Sequence, residues 1–212
     1  MYKYILVFAF AFLSSCSGCQ EKVVEVTHDN FVPAEATSDI GKGVDILSVV
    51  SRKLGKLGQA CELMPAATVA AALGKTSDQI SVVNSTKPGD DPETTSCFYK
   101  WEDPEDLFNA GIFVQLMKNP FADQEEYASY IEQMISSKRE RGEQGQDGEV
   151  TLFKRFEGFG DDGSYSTEGG KYFWRLGDQV AFQIAFNTNK APDVQYQMAR
   201  SLAKELTLNY LK

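Results

Sequence analysis

Hydrophobic and polar residues alternate along several segments of the chain, and this period of two predicts β-strands. The predicted strands cover residues 80–85, 95–101, 110–117, 150–156, 171–176 and 179–186. Their core-facing side chains are expected to be Cys97, Tyr99, Trp101, Ile112, Val114, Leu116, Val180, Phe182, Ile184 and Phe186. A tight turn at Gly177-Asp178 predicts that the last two strands pair as a hairpin.

Hydrophobic residues spaced by three and four predict helices before, between and after these strands. Pro65 and Gly74 mark the start and the end of one helix. Longer helices are predicted over residues 123–141 and 192–211. Their apolar sides consist of Tyr127, Ile131, Met134 and Ile135 in the earlier helix, and of Val194, Met198, Leu202 and Leu206 in the later one. The order of elements predicts an α+β fold, in which two helix-plus-three-strand units form one antiparallel sheet of about six strands and the helices pack on one face.

Residues 1–15 have the layout of a bacterial secretory signal, with Lys3, then an apolar run, then small residues. The run ends in LSSC at positions 13–16, which resembles the lipobox of bacterial lipoproteins. That resemblance implies that the chain is cut before Cys16, whose sulfur then carries a diacylglycerol and whose new amino group is usually acylated. Ordinary signal cleavage and an uncleaved anchor are the alternatives. Several acyl chains would make the attachment to the membrane effectively permanent.

The sequence after the signal divides into three further parts. Residues 16–37 are polar and have no sustained period, which predicts a flexible tether. Residues 38–58 carry apolar side chains at helical spacing and predict an amphipathic helix that ends at Gly58. This helix either packs on its own domain or lies on anionic lipid through its basic second half. Residues 61–212 form the predicted globular domain.

The cysteines take different roles in this interpretation. With lipid on its sulfur, Cys16 cannot form a redox dithiol with Cys19. Cys61 and Cys97 lie where ordered structure is predicted, so a bridge between them is the economical pairing in a disulfide-permissive compartment. Two free buried thiols are the alternative to this bridge. The bridge would leave Cys19 without a partner.

Short motifs within the domain carry a second resemblance. They are CEL at positions 61–63, VAAALG at 69–74, a second cysteine at Cys97, and GFGD at 158–161. Together they are similar to a broad group of secreted bacterial lipoproteins of unknown function, typified by actinobacterial members. The resemblance covers about residues 61–211 and implies a bridge between the two domain cysteines and an α+β fold. It implies no catalytic residue, because none is established in that group.

The charge of the chain argues against nucleic acid as a partner. The formal net charge is −9, from 21 basic and 30 acidic residues. Loss of residues 1–15 removes Lys3 and no acid, and 20 basic against 30 acidic residues gives −10. Nucleic-acid binding needs lysines and arginines that neutralise phosphates, and this balance is the opposite. His28 is the only histidine and lies in the predicted tether, so neither a metal nor another cofactor is expected.

Aromatic residues on neighbouring strands are the one candidate for a binding site in the domain. Adjacent residues of a strand point to opposite faces, so some of these rings either face solvent or lie under helices. Phe98, Phe173 and Arg175 form the possible binding patch. Core packing of the rings is the alternative interpretation.

The sequence contains no arrangement of a nucleophile with a histidine base outside the predicted tether. We therefore expect a non-enzymatic binding or accessory domain, held in the bacterial cell envelope by membrane lipid on Cys16 and facing away from the cytoplasm. Its partner is expected to be an envelope protein or ligand. Ser17 does not resemble an enterobacterial inner-membrane retention signal, which favours the outer membrane where two are present. The alternative function is an enzyme that acts on envelope polymers through carboxylates such as Asp161 and Asp162.

Overall fold

The computed structural model describes residues 57–86, 93–102 and 110–212. The predicted signal, the tether, Cys16, Cys19 and all but the last two residues of the helix predicted over residues 38–58 lie outside the described residues. All described residues belong to one compact unit.

The described residues follow the predicted order of helix, strands, helix, strands and helix. The helices are α1 (Ala60–Leu63), α2 (Ala66–Leu73), α3 (Tyr130–Arg141) and α4 (Pro192–Leu211), with short 3-10 turns at Ser77–Gln79 and Glu125–Tyr127. The strands are β1 (Ser81–Asn84), β2 (Thr94–Lys100), β3 (Gly111–Lys118), β4 (Glu143–Gln144), β5 (Val150–Thr151), β6 (Lys154–Arg155), β7 (Asp162–Ser166), β8 (Lys171–Leu176) and β9 (Val180–Asn187). Gly74 ends α2 in the left-handed conformation, with φ of 67°, which glycine adopts without steric cost.

One antiparallel sheet of seven strands forms the centre of the domain, in the order β1-β2-β3-β9-β8-β7-β6. Strands β3 and β9 pair in the middle, so the meanders β1-β2-β3 and β7-β8-β9 lie side by side as two halves. Strands β4 and β5 form a separate two-stranded hairpin. The structure therefore confirms the α+β class and the antiparallel sheet. The main sheet has seven strands, where about six were expected.

The first face of the sheet carries the larger part of the core. Buried side chains on this face include Cys97, Tyr99, Ile112, Val114, Leu116, Tyr172, Trp174, Val180, Phe182, Ile184 and Phe186. Helices α1, α2 and α4 pack against them. Trp174 stacks on Phe182 with ring centroids 5.1 Å apart, and its indole N–H donates to Thr207 Oγ1 of α4 at 2.9 Å. The predicted core-facing residues of β2, β3 and β9 are all on this face.

Helix α3 packs on the second face, whereas the sequence predicted all helices on one face. Its Ile131 and Ile135 form a separate buried cluster with Phe153, Phe173 and Ala181. Phe173 and Ala181 alternate with the first-face residues of β8 and β9, so they point to the opposite side of the sheet. The physical reason is that the second face also carries apolar residues, Phe173 of β8 and Ala181 of β9, and α3 removes them from water.

A disulfide joins Cys61 of α1 to Cys97 of β2, with an S–S distance of 2.07 Å. This confirms the predicted bridge over the alternative of two free thiols. Near the same end of the first face, Thr95 of β2 donates its hydroxyl to the backbone oxygen of Gly58 at 3.1 Å. These two links fix the start of the described chain to the sheet.

Candidate binding surfaces

The three residues of the predicted patch lie on one face of the sheet, but their surroundings differ. Phe98, Phe173 and Arg175 all lie on the second face of the sheet, because each alternates with first-face neighbours. Phe173 is buried under α3 and only 4% exposed. Phe98 is half-buried on β2, a strand on which α3 does not pack. Of the three, Phe98 alone lies on the part of the second face that α3 leaves uncovered.

Phe173 contributes to the packing of α3 on the sheet. Its ring centroid is 5.9 Å from that of Phe153, and the ammonium of Lys138 lies 4.2 Å from its ring centroid. Lys138 also pairs with Glu143 at 3.1 Å. All of these contacts lie within the domain. Phe173 is therefore a core residue, in agreement with the core-packing interpretation of the rings.

Arg175 is largely enclosed at the other end of α3. Its side chain is 14% exposed and lies 3.5 Å from a carboxylate oxygen of Glu132 and 3.5 Å from one of Asp178. It also donates to the backbone oxygen of Gly177 at 3.1 Å. Its charge is thus used to link α3 to the β8-β9 turn.

The open face is our name for seven uncharged second-face residues of β1, β2, β3 and β9 that are not in the cluster under α3: Val83, Ser96, Phe98, Phe113, Gln115, Gln183 and Ala185. All are half-buried or exposed. The rings of Phe98 and Phe113 are cross-strand neighbours with centroids 6.0 Å apart, and the ammonium of Lys100 lies 5.2 Å from the Phe98 centroid.

Apolar and amide side chains form separate rows across the open face. The strand register aligns Val83, Phe98, Phe113 and Ala185 in one row, and Ser96, Gln115 and Gln183 in the next. None of the seven is charged. Apolar rings beside uncharged hydrogen-bonding groups resemble the central part of a protein–protein interface, from which charged residues are depleted.

The two outer strands of the sheet differ in how they are protected. Strand β1 carries Val82 and Val83, which are 41% and 46% exposed. Strand β6, at the opposite edge, consists of Lys154 and Arg155, and charged side chains discourage pairing with another chain. The apolar edge adjoins the open face, so the two form one continuous surface through Val83.

The carboxylates considered for catalysis have partners inside the domain. Asp161 accepts a hydrogen bond from the backbone N–H of Gly177 at 2.6 Å and so closes a turn beside β8. Asp162 pairs with the guanidinium of Arg139 through two hydrogen bonds of 2.7 and 3.1 Å. Arg139 also donates to Ser164 Oγ at 3.0 Å. The contacts of Arg139 hold α3 against β7, and the contact of Asp161 stabilises the turn after β8. Both carboxylates therefore have a structural role.

The pKa of Asp162 follows from the same contacts. Its burial disfavours the charged form, but hydrogen bonds from Arg139 and the Gly163 backbone and the charges of Arg139 and Arg155 outweigh that effect. The pKa of Asp162 is therefore lowered from its ordinary value. The carboxylate stays ionised as a partner for Arg139, which is the opposite of the raised pKa that a general acid needs.

A second surface, which the sequence interpretation did not select, lies where α4 meets β7 and β8. We call it the aromatic–arginine cluster; it consists of Phe156, Phe159, Tyr165, Tyr172, Tyr196 and Arg200. Tyr165 stacks on Tyr172 with centroids 5.8 Å apart and an interplanar angle of 6°, and Tyr165 and Tyr196 are 4.8 Å apart. Tyr165 is partnered with Tyr172 across β7 and β8, so the cluster lies on the first-face side of the sheet.

Two searches within residues 57–86, 93–102 and 110–212 limit the chemistry of these surfaces. No group of three or more His, Cys, Asp or Glu side chains there could hold a metal ion. None of the helices in these ranges has the length and apolar character needed to cross a bilayer. No protein-family model, curated protein or solved structure matches the chain.

Proposed function

We propose that this chain is a lipid-anchored protein of the bacterial envelope whose domain binds another envelope protein through the open face and catalyses no reaction. The observation that carries the binding proposal is the uncovered part of the second face, where apolar and amide rows lie side by side. The anchor proposal is supported by the LSSC motif that ends at Cys16.

A protein is the partner that fits the open face best. Phe98 and Phe113 offer rings for packing, whereas Gln115 and Gln183 can each donate and accept hydrogen bonds. Among the described residues the adjoining strand β1 is the outermost strand of the sheet, and an extended segment of a partner can pair with such an edge by backbone hydrogen bonds. A nucleic acid or an anionic lipid surface would need several unpaired cations here. Two lysines of the described ranges adjoin the open face: Lys100 lies over Phe98, and Lys171, opposite Ala185, is paired with Glu143.

The anchor is tested by growing cells with an alkyne-labelled palmitate and comparing three forms of the full chain. We expect label on the wild type and on Cys19→Ser, and none on Cys16→Ser. The serine variant retains the size of the side chain but cannot form the thioether, and Cys19→Ser controls for the loss of a cysteine. Label that persists on Cys16→Ser would contradict the anchor proposal.

The binding surface is tested with a photo-crosslinking residue in place of Phe113 in the lipidated protein. We expect one specific crosslinked protein, and we expect Val83→Asp to reduce the crosslink at least tenfold because a charge would lie within the apolar row. Val194→Asp is the matched control, since Val194 is 43% exposed on α4, close to the 46% of Val83. Equal crosslinking in both aspartate variants, or no protein crosslink at all, would refute the use of the open face.

A further inference from the structure

The aromatic–arginine cluster presents a cation on an aromatic platform at the protein surface. The guanidinium of Arg200 lies 5.2 Å from the ring centroid of Phe159 and 5.9 Å from that of Tyr196. Arg200 is exposed, whereas Phe159, Tyr165 and Tyr196 are half-buried. The guanidinium therefore contacts two aromatic rings and stays exposed, and the rings themselves are partly accessible to solvent.

The charge of Arg200 is not neutralised by any carboxylate among the described residues. The acidic groups of the neighbouring loop are used elsewhere: Glu157 faces Arg155 at 3.5 Å, and Asp161 accepts from the backbone of Gly177. Lys204, one helical turn beyond Arg200 on α4, is also exposed, but the described ring contacts of the cluster involve Arg200 and not Lys204. In a chain with 30 acidic residues, an arginine stacked on rings without an acidic partner marks a place for an external anion.

A buried hydroxyl without a partner lies beneath this platform. Tyr172 is fully buried, and its hydroxyl has no hydrogen-bond partner in the structure. Tyr165 and Tyr196 pack on its ring at centroid distances of 5.8 and 6.4 Å and reach the surface. Burial, together with the neighbouring Tyr165 and Tyr196 groups, raises the pKa of Tyr172, so this hydroxyl stays protonated as a donor. A buried hydroxyl normally has a hydrogen-bond partner. A polar ligand that binds between Tyr165 and Tyr196, or a water molecule that it holds there, would supply a partner for the hydroxyl of Tyr172.

We propose that the aromatic–arginine cluster binds a sugar that carries a carboxylate. The C–H face of a pyranose ring packs on the half-buried rings, the carboxylate pairs with Arg200, and the sugar hydroxyls bond to Tyr165 and Tyr196. A few placed polar groups among aromatic side chains are typical of small-ligand sites. This site shares no residue with the open face and lies on the other side of the sheet, so it goes beyond the proposed function and either can fail without the other.

The test titrates two sugars of the same length into the full chain in zwitterionic detergent, which contributes no sugar of its own. The probe is the disaccharide N-acetylglucosaminyl-N-acetylmuramic acid, whose lactyl group carries a carboxylate. N,N′-Diacetylchitobiose has the same two N-acetylated rings and lacks this group. We expect the acidic disaccharide to bind at least about tenfold more tightly in calorimetry, because a hydrogen-bonded ion pair is available to it alone. Equal binding of both sugars, or binding of neither, would overturn the proposal.

Variants assign the effect to the cluster. Arg200→Gln should remove the preference for the acidic sugar, while Lys204→Gln, a matched loss of an exposed cation on the same helix, should leave most of it. Tyr196→Ala should weaken the binding of both sugars to a similar extent, because it removes one of the rings on which the sugar packs. An acidic preference that survives Arg200→Gln would overturn the assignment. So would binding of a glutamate-rich peptide as tight as that of the disaccharide, since it would show that the site recognises charge without the sugar.

Discussion

Replacing Cys61 and Cys97 together by alanine removes the bridge between α1 and β2, and we expect a loss of about 4 kcal/mol in the free energy of unfolding. The two cysteines are 36 positions apart in the sequence. In the chain-entropy model, a closed loop of this length lowers the entropy of the unfolded chain by about 13 cal/mol/K, which gives this figure at 25 °C. For a domain of this size, the loss corresponds to a fall of about 8–16 °C in melting temperature.

The assay is urea unfolding followed by tryptophan fluorescence, since Trp174 is fully buried in the first-face core. The double variant should unfold at about 2 M less urea than the wild type. Cys19→Ser, which removes a cysteine without removing the bridge, should unfold as the wild type does. A loss below about 1 kcal/mol, or two titratable thiols in the unreduced native protein from Cys61 and Cys97, would refute the reasoning.

Three further substitutions test the internal contacts of the domain. Arg139→Ala should cost about 2–3 kcal/mol of stability, because it leaves the mostly buried Asp162 carboxylate with a weaker partner. The pKa of Asp162 is lowered in the folded state. The stabilisation from its ion pair is therefore complete above about pH 4 and is lost as the pH falls through the folded-state pKa. If the stability difference between the wild type and Arg139→Ala grew towards acid pH in denaturation curves, this explanation would be contradicted. Thr207→Val should cost about 1–3 kcal/mol in urea unfolding by leaving the indole N–H of Trp174 unsatisfied, whereas Thr207→Ser should cost much less; equal losses would argue against the bond. Gly160→Ala should cost at least about 2 kcal/mol, since φ is +104° and an added Cβ would lie 2.2 Å from a backbone oxygen of β8; a melting temperature within 2–4 °C of the wild type, roughly 1 kcal/mol, would show that the turn adapts.

The first face was predictable from the sequence because its pattern is strictly local. Alternation along β2, β3 and β9 identified the buried residues, and the structure places Cys97, Ile112 and Phe182 fully in the core. The last helix was predicted over residues 192–211, and α4 spans Pro192–Leu211. Proline at its start and sustained spacing of apolar residues along its length make such a helix readable without tertiary information.

Short segments were less predictable, because neighbouring strands decide them. The segment predicted as one strand over residues 150–156 is divided into β5 and β6, which pair with different strands. Strand β7, in the sequence DGSYS, was not predicted, since glycine and serine usually indicate a turn. Its pairing with β8 and the contact of Ser164 with the backbone of Ile135 stabilise it. Helix α3 begins at Tyr130, later than expected, with a 3-10 turn before it.

The candidate surfaces show the same division between local and distant information. Phe98, Phe173 and Arg175 lie on one face of the sheet, but alternation along a strand carries no information on which of them α3 covers. Phe173 and Arg175 contact residues of α3 that are distant from them in the sequence. A local pattern does not show such contacts. The aromatic–arginine cluster joins Tyr165 to Arg200, which are distant in sequence, and the only local signal for it was the density of aromatic residues around Phe159.

The proposed anchor at Cys16 would decide the compartment in which the disulfide and both surfaces act. Mass spectrometry of the amino-terminal peptide, from protein extracted from its own membranes, tests it directly. The account predicts a chain that begins at Cys16, with residues 1–15 absent and with the mass of a diacylglycerol on the sulfur. A chain that begins at any other residue, or an unmodified thiol at Cys16, would contradict it.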